Sequence, residues 1–546
     1  MPVNRKSSIV HHRSLAVLLV LLLSSCTLPV ESSPTALIPT ADVPHKASFL
    51  IAKPTSDLPA GDGLPAVAES TEAADLATAT LPYLVWTATP EPTATATFTP
   101  EPTATSAPNA TPAATDPGPQ TSDRTHYTLT LTLDYVHKAV AVNETIRYTN
   151  TTGDTLSSIV LAVRPNLWSD CFNLTTFMED DAEVANYTLA GQRLTFVPAQ
   201  PLAPGAVTNL ALGYSLNLPV KSSDGTFGYM STQINLTDWY PFVVPYGSGN
   251  WILHDTYPFG EDLVYDASDF DVNLKVSDPS VVVAASAPAE ENGETVHYHL
   301  EAARTFVLSA SNAYQVDESA VGPVKIRSYY FPGDGNASQA VVWMATQSLA
   351  LYGVKFAPYP YETLSIVESN LNDGQEFDGL VFLSSNFYTG YNGSARSNLV
   401  TIGTHEIAHQ WWFGLVGNDQ AMEPWLDEAL SLYSERIFYE YNYPGYGNWW
   451  WNYRVNYFGP TGYVDQSIYA FGTFRAYVNA VYLNGANVLE DLRSRIHDDD
   501  FMAFLKDYAA RYSHRRATAY DFFATLREHT DADFSDIMRA YFQGSY

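Results

Sequence analysis

"TIGTHEIAHQWWFG", residues 401–414, is the stretch from which the rest of the chain can be read. His405 and His409 stand four apart. On a helix that spacing puts both imidazoles on one face, one turn above the other. A zinc ion about 2 Å from a nitrogen of each ring suits that arrangement. Glu406 lies on an adjacent face of the same turn, where a carboxylate can take a proton from water activated by the ion. Two ligands are too few. Eighteen residues separate His409 from Glu428, in "EPWLDEALSLYSE" (423–435). That stretch is amphipathic, and Pro424 suits the first turn of a second helix. A His₂Glu set leaves the fourth position to water, which separates a catalytic zinc site from a structural one. The bland alternative is two histidines filling an apolar helix face. With 13 histidines in the chain, the two-histidine motif arises by chance in roughly one or two of a hundred such sequences, and the later glutamate cuts that about twentyfold.

Outward from this stretch, the text on both sides is mainly helical. "SQAVVWMATQSLALYGVKF" (338–356) is one amphipathic segment, and helices are predicted over 398–414, 424–441, 476–496 and 499–512. "ETLSIVES" (362–369) and "GLVFLSS" (379–385) read as short strands. Earlier, "YTLTLTLDYVHKAVAVNETIRYTNTTGDTLSSIVLAV" (127–163) alternates apolar and polar residues between turn signals, and the same character persists to "VKIRSYYF" (324–331). The reading is multidomain. Residues 126–330 form an N-terminal, mostly antiparallel β domain with no catalytic constellation of its own. Residues 331–546 form a mainly α, α+β domain that holds the site.

Residues 1–25 read as an export signal. Arg5, Lys6 and Arg13 precede an apolar run, Leu15–Leu23, too short to span a bilayer. The run ends in Leu-Ser-Ser-Cys26, which resembles a bacterial lipobox; lipid on Cys26 would then anchor the chain to the extracytoplasmic face of a bacterial membrane. Residues 26–125 read as a disordered linker, rich in Pro and Thr, with a TPEPTATATFTPEPTAT repeat. About forty such residues near polyproline II rise would reach on the order of 100 Å. Cys171 is the only other cysteine, so no intrachain disulfide is expected, and it reads as a small buried apolar residue. Net charge is −31, and −34 without the signal segment. Such a surface repels phosphate backbones and excludes nucleic acid as a partner.

"THEIAHQWWFGLV…PWLDEALSLYSE" resembles the gluzincin signature of the membrane alanyl aminopeptidase and leukotriene A4 hydrolase family, and the likeness extends over residues 125–546. The resemblance implies a saddle-like β domain followed by a thermolysin-like catalytic domain. It implies one Zn²⁺ per chain on His405, His409 and Glu428, with Glu406 as general base. Glu435, seven residues after Glu428, falls where the family often has an acid that orients a ligand imidazole.

Two further elements carry over by position. In "DGQEFDGLVFLS" (373–384), Glu376 falls on the family glutamate that grips the substrate's α-amino group, beside Gly374 and Gln375. The sequence departs there, with Gln375 for methionine and Phe377 for asparagine. In "AYVNAVYLNGANVLEDLRSRI" (476–496), Tyr482 falls on the tyrosine that steadies the oxyanion, with Tyr477 five residues earlier. The Glu-Lys pair that follows it in relatives is missing.

The expected substrate is a peptide with a free N-terminus, cut at its first bond. The rivals are a zinc endopeptidase of the same fold, an epoxide hydrolase by kinship, and a catalytically inactive lipid-anchored binding protein. From Glu428 to the last residue there is room to finish the catalytic domain and little more, so the expected cleft is either more open than in relatives or covered by a partner.

Overall fold

The computed structural model describes residues 123–223 and 225–546. The signal segment, Cys26 and nearly all of the linker lie outside the described residues.

Alternating patterns become long paired strands. Strands β1 (His126–Asp134), β2 (Ala139–Thr149), β3 (Phe172–Glu179), β4 (Val207–Asn217), β5 (Ser268–Val276) and β6 (Thr295–Ala303) lie in the order β6-β5-β1-β2-β4-β3, with a short strand at each edge. All of these neighbours run antiparallel except β1 and β5, which are parallel. Because side chains alternate along a strand, Leu129, Leu131, Val140, Val142, Leu212, Val272 and Leu274 share the buried face. Cys171 is buried in the same core.

The site rests on a second sheet. Strands β7 (Gln315–Val321), β8 (Val324–Tyr330), β9 (Thr363–Ser369), β10 (Gly374–Phe377) and β11 (Leu380–Ser384) take the order β7-β8-β9-β11-β10. β8, β9 and β11 run parallel, and β10 is an antiparallel edge strand. Residues 315–330 therefore pair with the catalytic domain's sheet, although their periodicity groups them with the β domain. Period-two alternation is the same in either sheet, so the pattern identifies a strand but not its partner.

Helices α1 (Gly335–Lys355), α2 (Asn398–Ala408), α3 (Trp425–Asn442), α4 (Asn484–Ile496) and α5 (Asp498–Arg511) pack on this sheet and one another. Two differ from expectation. α2 stops at Ala408 rather than 414, and the chain turns back through Gly414 N–H to His409 O (2.9 Å) and Leu415 N–H to Gln410 O (3.0 Å). The stretch leading into α4 is helical but widens into a π turn over Val478–Leu483.

The turn after α2 has a clear cause. The buried Arg304 guanidinium donates to Phe413 O (2.6 Å) and Leu415 O (3.5 Å) in that turn, and to Tyr265 O (2.9 Å) and Arg515 O (2.8 Å). Its backbone N–H donates to Asp378 (3.0 Å), which also accepts from Thr305 N–H (2.8 Å), Thr305 Oγ1 (2.9 Å) and Tyr361. Continuing α2 would remove those carbonyls from the guanidinium and leave a buried charge unsatisfied.

Arg304→Met is expected to lower unfolding free energy by about 3–5 kcal/mol, with Arg304→Lys recovering only part, since an ammonium cannot fork to carbonyls on separate segments. Urea titration measures this; a change within about 0.5 kcal/mol would count against the network.

Candidate metal centre

α2 and α3 meet with their polar faces inward. His405 Nε2 lies 3.1 Å from His409 Nε2 and 3.2 Å from Glu428 Oε2, and His409 Nε2 lies 3.4 Å from the same oxygen. Ligands about 2 Å from a tetrahedral zinc sit about 3.3 Å from one another, so this triangle matches a coordination face. All three side chains are almost fully buried. Burial pulls both imidazoles down, but the nearby carboxylates (Glu428 and Glu435 at His405, Glu376 and Glu428 at His409) more than offset it, and both rise above the ordinary value. The site favours positive charge, and the residues present fit the ion.

Outer contacts fix the ligands. His409 Nδ1 lies 3.1 Å from Trp412 O. Glu435, two turns after Glu428 on α3, places Oε1 3.2 Å from His405 Nδ1. Arg454 holds Glu435 with Nη2 at 2.7 Å and Nε at 2.9 Å, and Trp450 Nε1 adds a third bond at 3.1 Å. Burial raises Glu435, but the Arg454 charge prevails and its pKa is lowered.

Edge strand β10 brings Glu376 to the centre. Ligand-type atoms of Glu376, Glu406 and His409 lie within 4.8 Å of one another. The strand can come this close because residue 374 is glycine: a Cβ there would stand 2.3–2.4 Å from the Glu406 side chain. Gln375 Nε2 donates to Glu376 Oε2 at 3.3 Å, so the residue that replaces the family methionine touches the carboxylate. Gln410, the residue after His409, donates to Phe377 O (2.8 Å) and accepts from Gly379 N–H (2.9 Å). It ties β10 to the end of α2.

Tyr482 lies in the π turn, its ring parallel to His405 with centroids 6.0 Å apart, and Tyr477 meets it edge-on at 5.5 Å. Its hydroxyl pairs with Glu428 and Tyr477. Burial first, then the charge of Glu428, raises both phenols well above the usual range. The structure thus brings together at one centre His405, Glu406, His409, Glu428, Glu435, Tyr477, Tyr482, Gly374, Gln375 and Glu376.

Sequence reading found no site residues in the β domain; the structure puts several there. A cavity of about 90 Å³ beside Glu376 is walled by Arg164, Asp238, Glu261, Asp262, Trp168 and Phe227 from the β domain, and by Phe377, Phe413 and Gln420 from the catalytic domain. Arg164 binds Asp262 through two bonds, 2.7 and 2.9 Å. Asp238 accepts from Tyr265 (2.6 Å) and is raised by burial. The one available signal was the compact acidic run "FGEDLVYD" (259–266).

Fold and site together resemble those of a gluzincin. Residues 345–541 match the Peptidase family M1 domain. Aminopeptidase M1-B of Oryza sativa subsp. japonica is 24% identical over 241 residues, covering 41% of this chain and 28% of that one. Endoplasmic reticulum aminopeptidase 1 of Mus musculus is 22% identical over 388 residues, 66% of this chain and 41% of that one. The chain thus matches well under half the length of these relatives. An M1 zinc metallopeptidase from Deinococcus radiodurans superimposes with a TM-score of 0.55 at 18% identity, covering 78% of this chain and 94% of that one. A mutant of it bound to a Tyr-Ser-Ala substrate gives the same score. The two-domain architecture, β domain then helical catalytic domain, is shared.

Glu435→Gln is expected to weaken zinc retention about 10–100-fold while leaving the fold intact. Competition with a chromophoric chelator measures it; unchanged affinity would show that the acid does not steady His405.

Proposed function

We propose that this protein is a zinc aminopeptidase that releases N-terminal residues from peptides. The observation that carries the reading is Glu376, a buried carboxylate on the edge strand, beside both Glu406 and the ligand His409. A carboxylate there pairs with the substrate's α-ammonium and sets the first peptide bond over the reacting centre. Zinc, when bound by His405, His409 and Glu428, supplies Lewis-acid polarisation of a carbonyl and acidifies water. Glu406, held against Gly374, takes the proton from the attacking water and passes it to the leaving amine. The Tyr482 phenol, kept protonated by burial beside Glu428, donates to the developing oxyanion. The cavity beyond Glu376 receives the first side chain.

Glu406→Gln is expected to lower turnover of an aminoacyl-arylamide by about 10²–10⁴-fold with zinc content unchanged. Near-native turnover would remove Glu406 from the base role. Glu376→Gln should cost about 10–100-fold on free-amine peptides, consistent with loss of one charge-assisted bond. N-acetylated peptides should be refused by the native protein. Internal cleavage of acetylated peptides at native rates would instead identify an endopeptidase.

A further inference from the structure

The cavity beside Glu376 is more acidic than an ammonium grip requires. Gln375 and Glu376 supply one wall from edge strand β10, and the β domain supplies the facing one. That second wall is tied to the centre at Gly260. A φ of +74° lets the chain pass where a Cβ would press on Ile468 (2.6 Å) and approach the Tyr477 hydroxyl (3.3 Å). The preceding ring, Phe259, stacks on Tyr477 with centroids 5.5 Å apart. Glu261 and Asp262 follow directly in the chain and line the cavity.

Four carboxylates border this space: Asp238, Glu261, Asp262 and Glu376. Among the described residues its lining holds one cation, Arg164. Arg164 is set against Asp262 through bonds of 2.7 and 2.9 Å, and a further bond to Gln192 (2.9 Å) fixes the guanidinium in place. Four acids against one guanidinium give a net −3, and an α-ammonium at Glu376 would bring this only to −2. Asp238 accepts from the Tyr265 hydroxyl at 2.6 Å, a neutral donor. Burial raises the Asp238 pKa; Tyr265 and Arg164 pull it down, but the charges of Asp262 and Glu376 add to the rise. Carboxylates crowded in this way favour entry of a further cation. Apolar surface borders the same space. Trp168 and Phe227 meet with centroids 4.9 Å apart, and Phe377 and Phe413 come from the catalytic domain. Acids set among aromatic rings match a methylene stem with a charged tip.

We propose that this pocket selects peptides whose N-terminal residue is lysine or arginine, with Asp238 and Glu261 receiving the side-chain charge. The inference rests on the aminopeptidase reading above and names its substrate class. The cavity of about 90 Å³, several times what one water needs, takes an extended stem flanked by the rings. An N-terminal aspartate or glutamate meets like charge there. An aliphatic side chain takes solvent from the same acids and returns no charge to them.

The test uses the zinc-loaded full chain and pairs of substrates that differ in charge but hardly in shape. Arginyl- and citrullyl-arylamides form one pair, lysyl- and norleucyl-arylamides the other. The charged member of each pair should show a kcat/KM about tenfold higher or more, the scale of one hydrogen bond to a charged group. Glutamyl-arylamide should be the poorest of the set. The arginyl-to-citrullyl ratio should fall about tenfold in Asp238→Asn or in Glu261→Gln, with melting temperature confirming that each variant folds. Binding separates the pocket from catalysis: on full-length Glu406→Gln, calorimetry should find argininamide bound about tenfold more tightly than citrullinamide. Equal kcat/KM within each pair, with equal affinity for the two amides, would overturn the proposal and leave the aminopeptidase reading standing. Failure to turn over any arylamide, with the preference for argininamide kept, would overturn the aminopeptidase reading and retain the pocket's choice of cation.

Discussion

Asp378 follows the edge strand β10, and its carboxylate is saturated by Arg304 N–H, Thr305 and Tyr361. The same Arg304 spends its guanidinium on carbonyls of the turn after α2 and of the β domain. Strand, zinc helix and β domain are thereby joined at one buried corner in which every partner is satisfied. Buried polar groups in such a network rigidify because any displacement leaves a donor or acceptor bare. The placement of Glu376 beside Glu406 depends on this corner, with Gln410 as a second tie only a few residues away.

The centre concentrates acidity. Glu376, Glu406, Glu428 and Glu435 are all buried within one region, with Arg454 paired to Glu435. Carboxylates crowded in this way repel unless cations enter. On the proposed function two cations would enter: the ion that His405, His409 and Glu428 would hold and the α-ammonium at Glu376. Substrate and metal would then be parts of one charge balance, and the β domain repeats the theme around the cavity, where Arg164 answers Asp262.

What sequence revealed, it revealed through periodicity and coordination number. His405, His409 and Glu428 were legible because a helix repeats every 3.6 residues and zinc needs a third protein ligand. Glu435 and Tyr482 were legible only through resemblance, since an acid or a tyrosine alone carries no address. Arg454 and Trp450 were not legible: their spacing of four marks a helix face but does not name Glu435 as the partner. Arg304 and Gln410 were hidden for the same reason, as each acts on backbone carbonyls or amides that have no signature in side-chain text. The β-domain wall of the cavity was missed because its members become neighbours only when two sheets and a helix bundle come together.

The wide turn at Val478–Leu483 has a consequence for how this scaffold can change. An α-helix advances each side chain by about 100° per residue, and a π turn accommodates one residue more than the regular repeat. Tyr482 meets His405 in that phase. Loss of a single residue from the loop of wide helix would restore the regular repeat and carry the phenol round to another face, leaving His405, His409, Glu428, Glu406 and Glu376 where they are. On the proposed function, a chain one residue shorter would keep its grasp on peptides while losing the donor for the tetrahedral state, a short evolutionary step from scissors to receptor.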